Sequence, residues 1–212
     1  MKVIRGMKEE IIMEKKGLLI VVSGPSGAGK GTICKTLARL NPDIKISISA
    51  TTREPRRGET DGENYYFISK GNFEGMLQEN ALLEYAKVYD NYYGTPKKYV
   101  LENLEKGNDI LLEIDIAGAL QVKEKFQDGV FIFILPPSLE ELKNRIVGRG
   151  TESEKDIEKR YGCAIEEIEQ VIKYDYAVVN DDIERATKDV EAIIRAEKCK
   201  VTRVQDNIKS IF

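Results

Sequence analysis

Three nearly unbroken aliphatic runs, residues 18–22 (LLIVV), 109–114 (DILLEI) and 130–135 (VFIFIL), punctuate the chain. Such runs mark strands covered on both faces of a parallel sheet. Residues 44–48 (IKISI) alternate and predict a short strand, and 177–179 predict a last one. Between the runs the period changes. Ile33, Leu37 and Leu40 fall on one helical face. Helices are also expected from Ala117, from Ser138 (with Glu141 completing a capping box), from about 153 to 173, and finally from Asp182. Buried strands alternating with helices predict an α/β fold with a doubly wound parallel sheet. The middle third differs. NYYFIS, a helical FEGML and ALLEYAKV lead to a tyrosine-rich turn, DNYYGT, and residues 96–106 read as a helix begun by Pro96. This section predicts a small mixed β insertion. The tail after Lys200 is weakly patterned.

Composition narrows the chemistry. Hydrophobic residues make up 42% and charged residues 33% of the 212, as in soluble globular proteins. No apolar run reaches the length that spans a bilayer. Residues 1–16 mix charges with short apolar pieces and read as a leader without a signal-peptide core. A net charge of −3 gives no general attraction for nucleic acid. Cys34, Cys163 and Cys199 are widely spaced and form no C-x-x-C pair, which predicts reduced thiols and a cytoplasmic location. The chain contains no histidine. That excludes Ser-His-Asp and Cys-His catalysis and histidine-ligated metals. Phosphoryl transfer runs on the groups that remain.

The first aliphatic run leads into Gly24, Pro25, Ser26, Gly27, Ala28, Gly29 and Lys30. This fits the G-x-x-x-x-G-K core of a phosphate-binding loop in its strand–loop–helix setting. Inward-facing N–H groups and a helix N-terminus hold a polyphosphate, and Lys30 reaches its outer phosphates. A dinucleotide fingerprint needs G-x-G-x-x-G, and these glycines read G-x-x-G-x-G. Gly31 separates Lys30 from Thr32, so the hydroxyl expected to reach magnesium is displaced by one position.

Four further groups carry candidate chemistry. Residues 49–59, with Arg53, Arg56 and Arg57, read as a phosphate clamp or as an exposed basic loop. Glu84 stands in the apolar strand Leu82-Leu83-Glu84-Tyr85, near Tyr93 and Thr95. Either its carboxylate accepts the paired N1–H and N2–H₂ donors of guanine, or strand alternation turns it to solvent. Glu113 and Asp115 end a buried strand, where acids organise magnesium or a phosphate-bearing partner. Arg145, Arg149 and Arg160 flank Gly148 and Gly150. They read as a mobile lid over a transferring phosphoryl, or as partners of Glu140, Glu141 and Glu152.

Taken together these residues resemble the guanylate kinase family from about residue 18 to 197. The most specific signature is S-x-S-A-T-T-R-E-P-R-x-G-E-x-x-G-x-x-Y-x-F, Ser47 to Phe67. Tyr92-Tyr93-Gly94-Thr95, Leu112-Glu113-Ile114-Asp115, Pro136-Pro137-Ser138, Gly148-Arg149-Gly150-Thr151 and Val179-Asn180-Asp181-Asp182 follow in order. The resemblance implies a P-loop core (17–48 and 99–200), a GMP-binding insertion (49–98), a helical lid (144–159) and a tail (201–212). It assigns the GMP phosphate to Ser49, Arg53, Arg56, Tyr65 and Tyr93, and guanine to Glu84 and Thr95 with help from Glu113. ATP falls to the loop residues Gly24 to Thr32, to Arg145, Arg149 and Arg160, and to Asn180 beside adenine. Lys30, Arg53, Arg145, Arg149 and Arg160 would be the catalytic cations, with Mg²⁺ near Thr32 or Asp115. The implied substrates are ATP and GMP or dGMP, with no nucleic-acid or membrane partner. The G-K-G-T loop departs towards adenylate kinases, and Thr95 stands where relatives often have Ser. Two rivals follow from the same residues. One is a peptide-binding module of the same fold, and the other is a kinase for a different small phosphate acceptor.

Overall fold

The computed structural model describes residues 16–88, 90–147 and 154–209, without the side chains of 154–160 and 206–209. The order is β1 (Leu19–Ser23), α1 (Lys30–Leu40), β2 (Ile44–Ile46), β3 (Ala50–Thr51), β4 (Tyr66–Phe67), α2 (Lys70–Gln78), β5 (Leu82–Val88) and β6 (Asn91–Pro96). Then come α3 (Lys97–Glu105), β7 (Asp109–Glu113), α4 (Ile116–Lys125), β8 (Val130–Leu135), α5 (Leu139–Val147) and α6 (Glu154–Glu169). A 3₁₀ turn (Gln170–Lys173), β9 (Tyr176–Val179), α7 (Ile183–Lys198) and α8 (Val201–Lys209) finish the chain.

The aliphatic runs pair in parallel as a five-stranded sheet, ordered β2-β7-β1-β8-β9. Alternation along β1 explains why it is apolar throughout. Ile20 and Val22 join Ile33, Leu37, Val190 and Ile194 on one face. Leu19 and Val21 join Val100, Ala119 and Val122 on the other. Both faces are covered by helices, as a doubly wound sheet requires. The phosphate loop therefore leaves the centre of the sheet, at the carboxyl ends of its strands.

The middle third forms a second, mixed sheet, ordered β4-β3-β6-β5. DNYYGT is not a turn: residues 91–96 make β6, which pairs antiparallel with both β3 and β5. Tyr92 stacks on buried Phe73 with ring centroids 5.3 Å apart, so its aromatics pack a core. Pro96 takes the N-cap position of α3.

Two further local readings are corrected. The helix starting after Asp182 is followed by α8, so the tail is structured over Val201–Lys209. Glu197, 1% exposed, anchors that join. It accepts from Tyr176 Oη at 2.5 Å and faces Lys200 Nζ at 2.6 Å and Arg203 Nη2 at 3.3 Å. Burial opposes its ionisation, but bonds from Lys200, Tyr176 and Arg203 outweigh that and hold its carboxyl below the ordinary value. At α5, Ser138 Oγ accepts from Glu141 N at 3.0 Å. The other half of the expected capping box is replaced, because Glu141 Oε1 accepts from Arg145 Nε at 2.8 Å.

Candidate active site

The loop after β1 turns back on itself and opens into α1 at Gly29, whose φ of 93° suits glycine. A Cβ there would stand 2.2 Å from Asn180 Nδ2. That amide is buried and donates to Ala28 O at 2.7 Å. Asn180, expected beside adenine, braces the loop from behind through its side chain. Arg145 Nη2 donates to Asn180 O at 3.1 Å, so Arg145 keeps the expected Glu141 partner and also reaches the loop's support. Arg149, Gly148, Gly150 and the side chain of Arg160 lie outside the described residues.

Lys30 Nζ donates to Gly24 O at 2.6 Å and Pro25 O at 3.0 Å. Burial lowers its pKa, against the pull of Glu113 and Glu167. Glu167, on α6, also accepts from Ser26 N at 3.4 Å, a carboxylate at the phosphate loop that sequence reasoning missed. Thr32 is exposed on the first turn of α1. A side chain at Gly31 would come within 3.1 Å of Glu113 Oε1. The glycine of G-K-G-T thus leaves room for that carboxylate.

Arg53 is the centre of a second cluster. Its Nε donates to Tyr93 Oη at 3.2 Å, and Nη1 and Nη2 hold the two oxygens of Glu59 at 2.9 Å each. Nη1 also reaches Glu54 O at 2.7 Å. Four of the five guanidinium donors are thereby placed. The Arg53 guanidinium lies 5.5 Å from the ring of Tyr65, which meets Tyr93 edge-on. Glu59 also accepts from Arg56 N at 2.7 Å, while the side chain of Arg56 remains exposed. Of the expected clamp residues, Tyr65 and Tyr93 converge on Arg53, while Ser49 stands by Thr95. Glu59 is the organising residue that the sequence reading passed over, although it sits inside the quoted signature. Burial raises the Tyr65 pKa, and the charges of Glu113 and Tyr93 add to it.

Glu84 is not turned to solvent. The β5–β6 ladder pairs Leu82 with Pro96 and then Tyr85 with Gly94. A bulge therefore sets Leu83 and Glu84 against Thr95 alone. It breaks the alternation, and Leu82, Leu83 and Glu84 are buried in succession while Tyr85 is exposed. Glu84, 4% exposed, accepts from Thr95 Oγ1 at 2.6 Å, and Thr95 lies 3.5 Å from Ser49 Oγ. Burial pushes the Glu84 carboxyl up to about 7, assisted by Asp115 and opposed by Thr95 and Lys125.

The strand-end acids differ in their surroundings. Glu113, expected with the base readers, is exposed, stands against Gly31 and acts through its charge on Lys30 and Tyr65. Asp115, expected at the metal, caps α4 by accepting from Gly118 N at 2.7 Å. A Cβ at Gly118 would stand 2.4 Å from Glu84 Oε2 and 3.3 Å from Asp115 Oδ1. The physical reason is the cap, which turns the Asp115 carboxylate over the first turn of α4 and towards β5. Among the described residues no three acidic or cysteine side chains cluster as a metal cage.

The chain is similar to known proteins along most of its length. A family model described as guanylate kinase matches residues 16–197. The guanylate kinase of Caldanaerobacter subterraneus is 64% identical, over 92% of this chain and 94% of its own. That of Clostridioides difficile is 62% identical, over 93% and 97%. The solved guanylate kinase of Anaplasma phagocytophilum superposes with a TM-score of 0.76 at 35% identity, over 89% of this chain and 90% of that one. A phosphate loop braced by Asn180, an aromatic-backed arginine clamp and a buried carboxylate beside Thr95 are thus joined to a family match along most of the sequence: the chain belongs to the guanylate kinase family.

Proposed function

We propose that the chain transfers the γ-phosphoryl of ATP to GMP, and to dGMP, giving ADP and GDP. The observation that supports this most is the position of Glu113. Its carboxylate stands against Gly31 of the phosphate loop, and its charge acts on both Lys30 and Tyr65 of the Arg53 cluster, so one carboxylate influences the donor and the acceptor side. The loop residues Gly24 to Thr32 cradle the ATP phosphates. Ser49, Arg53, Arg56, Tyr65 and Tyr93 hold the GMP phosphate, and Glu84 reads guanine N1–H and N2–H₂. The geometry favours Asp115 over Glu113 as the second acid on the base side. Arg149 and Arg160 keep their lid roles on resemblance alone, and Asn180 is assigned to bracing the loop.

The chemistry needs no base from the protein. A phosphate monoester has its second pKa near ~6 and is largely dianionic at neutral pH. Its oxygen attacks the γ-phosphorus, the bond to the β–γ bridging oxygen breaks, and ADP leaves. Lys30 follows the charge that develops on the transferred group, and Arg145 stands at the loop's edge. Closure over the site excludes water, which would otherwise take the phosphoryl. The donor set also fits magnesium. Thr32 and Glu113 offer hard oxygen ligands beside Lys30, and the lack of a protein cage among the described residues suits an ion carried mainly by nucleotide phosphates and water. When bound, magnesium supplies charge neutralisation on the phosphate oxygens. Cys34, Cys163 and Cys199 are all free thiols, which supports a cytoplasmic setting.

ADP formation with Mg-ATP against GMP, dGMP, AMP, UMP and CMP, with an acceptor-free control, tests the proposal. Turnover confined to GMP and dGMP is expected. Preference for another base would overturn the reading of Glu84. GMP binding without turnover would make the chain a binding module.

A further inference from the structure

β5 is the outer strand of the small sheet, so one row of its backbone groups has no strand to pair with. Helix α4 takes that place. Gln121 Oε1 accepts from Tyr85 N at 3.2 Å, and Gln121 Nε2 donates to Tyr85 O at 2.7 Å. Lys125 Nζ donates to Leu83 O at 2.7 Å. A side-chain amide thus mimics a neighbouring strand for Tyr85, while Lys125 holds the residue on the other side of Glu84. Asp115, Gly118, Gln121 and Lys125 recur every three or four residues and share one face of α4. Gly118 supplies the empty space that the Glu84 carboxylate fills. The grip falls on the bulge that turns Glu84 inward, the feature that a free edge strand would lose most easily.

We propose that Gln121, supported by Lys125, is a positioning residue for base selection: it clamps the β5 bulge to the core so that Glu84 presents both oxygens in one fixed geometry. The inference rests on the assignment of Glu84 to guanine. Gln121 touches neither nucleotide and acts through the backbone on either side of Glu84. Its loss should therefore weaken GMP recognition without altering the donor site.

The test compares the full chain with Gln121→Met, which keeps length and packing but loses both bonds, and with Lys125→Met and Glu84→Gln. Two hydrogen bonds of ordinary net strength correspond to about 10-fold in binding. Gln121→Met is expected to raise KM for GMP about 10-fold and to lower the GMP-over-AMP ratio of kcat/KM by a similar factor. KM for ATP should stay within about 2-fold, and Lys125→Met should show the same pattern at about 3-fold. Hydrogen exchange at Tyr85 N–H should quicken in Gln121→Met, while Leu111 in the parallel sheet keeps its protection. Unchanged KM for GMP, or equal rises for GMP and ATP, would overturn the inference. If Gln121→Met fails to fold, Gln121→Asn, whose shorter amide loses reach to Tyr85 without changing any charge near Glu84, decides by the same split. If Glu84→Gln keeps full GMP selectivity, the base assignment fails and this inference with it. If Glu84→Gln loses selectivity and Gln121→Met keeps it, the positioning role alone fails.

Discussion

The parallel sheet and the small mixed sheet hold their functional groups by different means. In the parallel sheet, backbone does the holding. β1 is buried on both faces, and the loop that follows is shaped by glycines, by the start of α1 and by the Asn180–Ala28 bond. In the mixed sheet, side chains hold one another. Arg53 is fixed by Glu59 and Tyr93, Glu84 by Thr95, and the backbone around Glu84 by Gln121 and Lys125. Polyphosphate is the same in every nucleotide, and a backbone cradle suffices for it. A base differs from its rivals by single donors and acceptors, so its reader needs side chains with fixed partners.

That contrast sets the size of each expected effect. Lys30→Met removes the side-chain cation that the phosphate loop itself carries. It should lower kcat by about 10³-fold or more, with GMP affinity measured by calorimetry nearly unchanged. A similar loss in GMP affinity would mean that the two halves are not separate. The second prediction concerns pH. Glu84 must be ionised to accept from guanine, and in the free protein its carboxyl lies at about 7. KM for GMP should therefore rise as pH falls from 7 towards 6, approaching 10-fold per pH unit, and Glu84→Gln should remove all of that slope except the part due to the GMP phosphate, whose own second pKa is near ~6.

Stability should move in the opposite sense. The folded value of about 7 exceeds the ordinary carboxyl value of 4.5, so the protonated carboxyl stabilises the fold fully below about 4.5, and this contribution disappears as pH rises through 7. Glu84→Gln should then be the more stable protein at pH 8, by at most about 3 kcal/mol, in chemical denaturation. Equal stabilities would show that ionised Glu84 is better solvated than its burial implies.

Glu59→Gln loosens the two-pronged hold on Arg53. It should raise KM for GMP about 10-fold and leave KM for ATP within about 2-fold. Smallest for catalysis is Glu197→Ala. It deprives Tyr176, Lys200 and Arg203 of their acceptor and should cost about 2 kcal/mol of stability. The kinetic constants should be unaffected, because α8 docks away from both phosphate clusters. A change in KM would tie the C-terminal helix to the site.

The two regions also differ in how far the sequence discloses them. Strands β1, β7 and β8 are visible because burial on both faces writes itself as an unbroken aliphatic run. The phosphate loop is visible because its glycines and Lys30 are required by the backbone path. Strands β3 and β4, two residues each, are too short to show a period. β6 is disguised as a turn because its tyrosines and glycine carry turn signals while packing on Phe73. Glu84 is the instructive case. Simple alternation points it outward, and only the bulge, a feature of pairing rather than of composition, brings it in. The placement of the Asp115 carboxylate beside Glu84 has the same origin, since it depends on the cap that Asp115 makes to α4.

On the proposed reading, base choice resides in Glu84 of the mixed sheet, and the ATP phosphates are held separately by the loop of the core. The most direct measurement is the ratio of kcat/KM for GMP and AMP, at saturating Mg-ATP and pH 8, in the wild-type chain and in Glu84→Gln. The substitution is expected to lower the ratio by about 10³-fold or more while KM for ATP stays unchanged. A ratio that survives the substitution would contradict it.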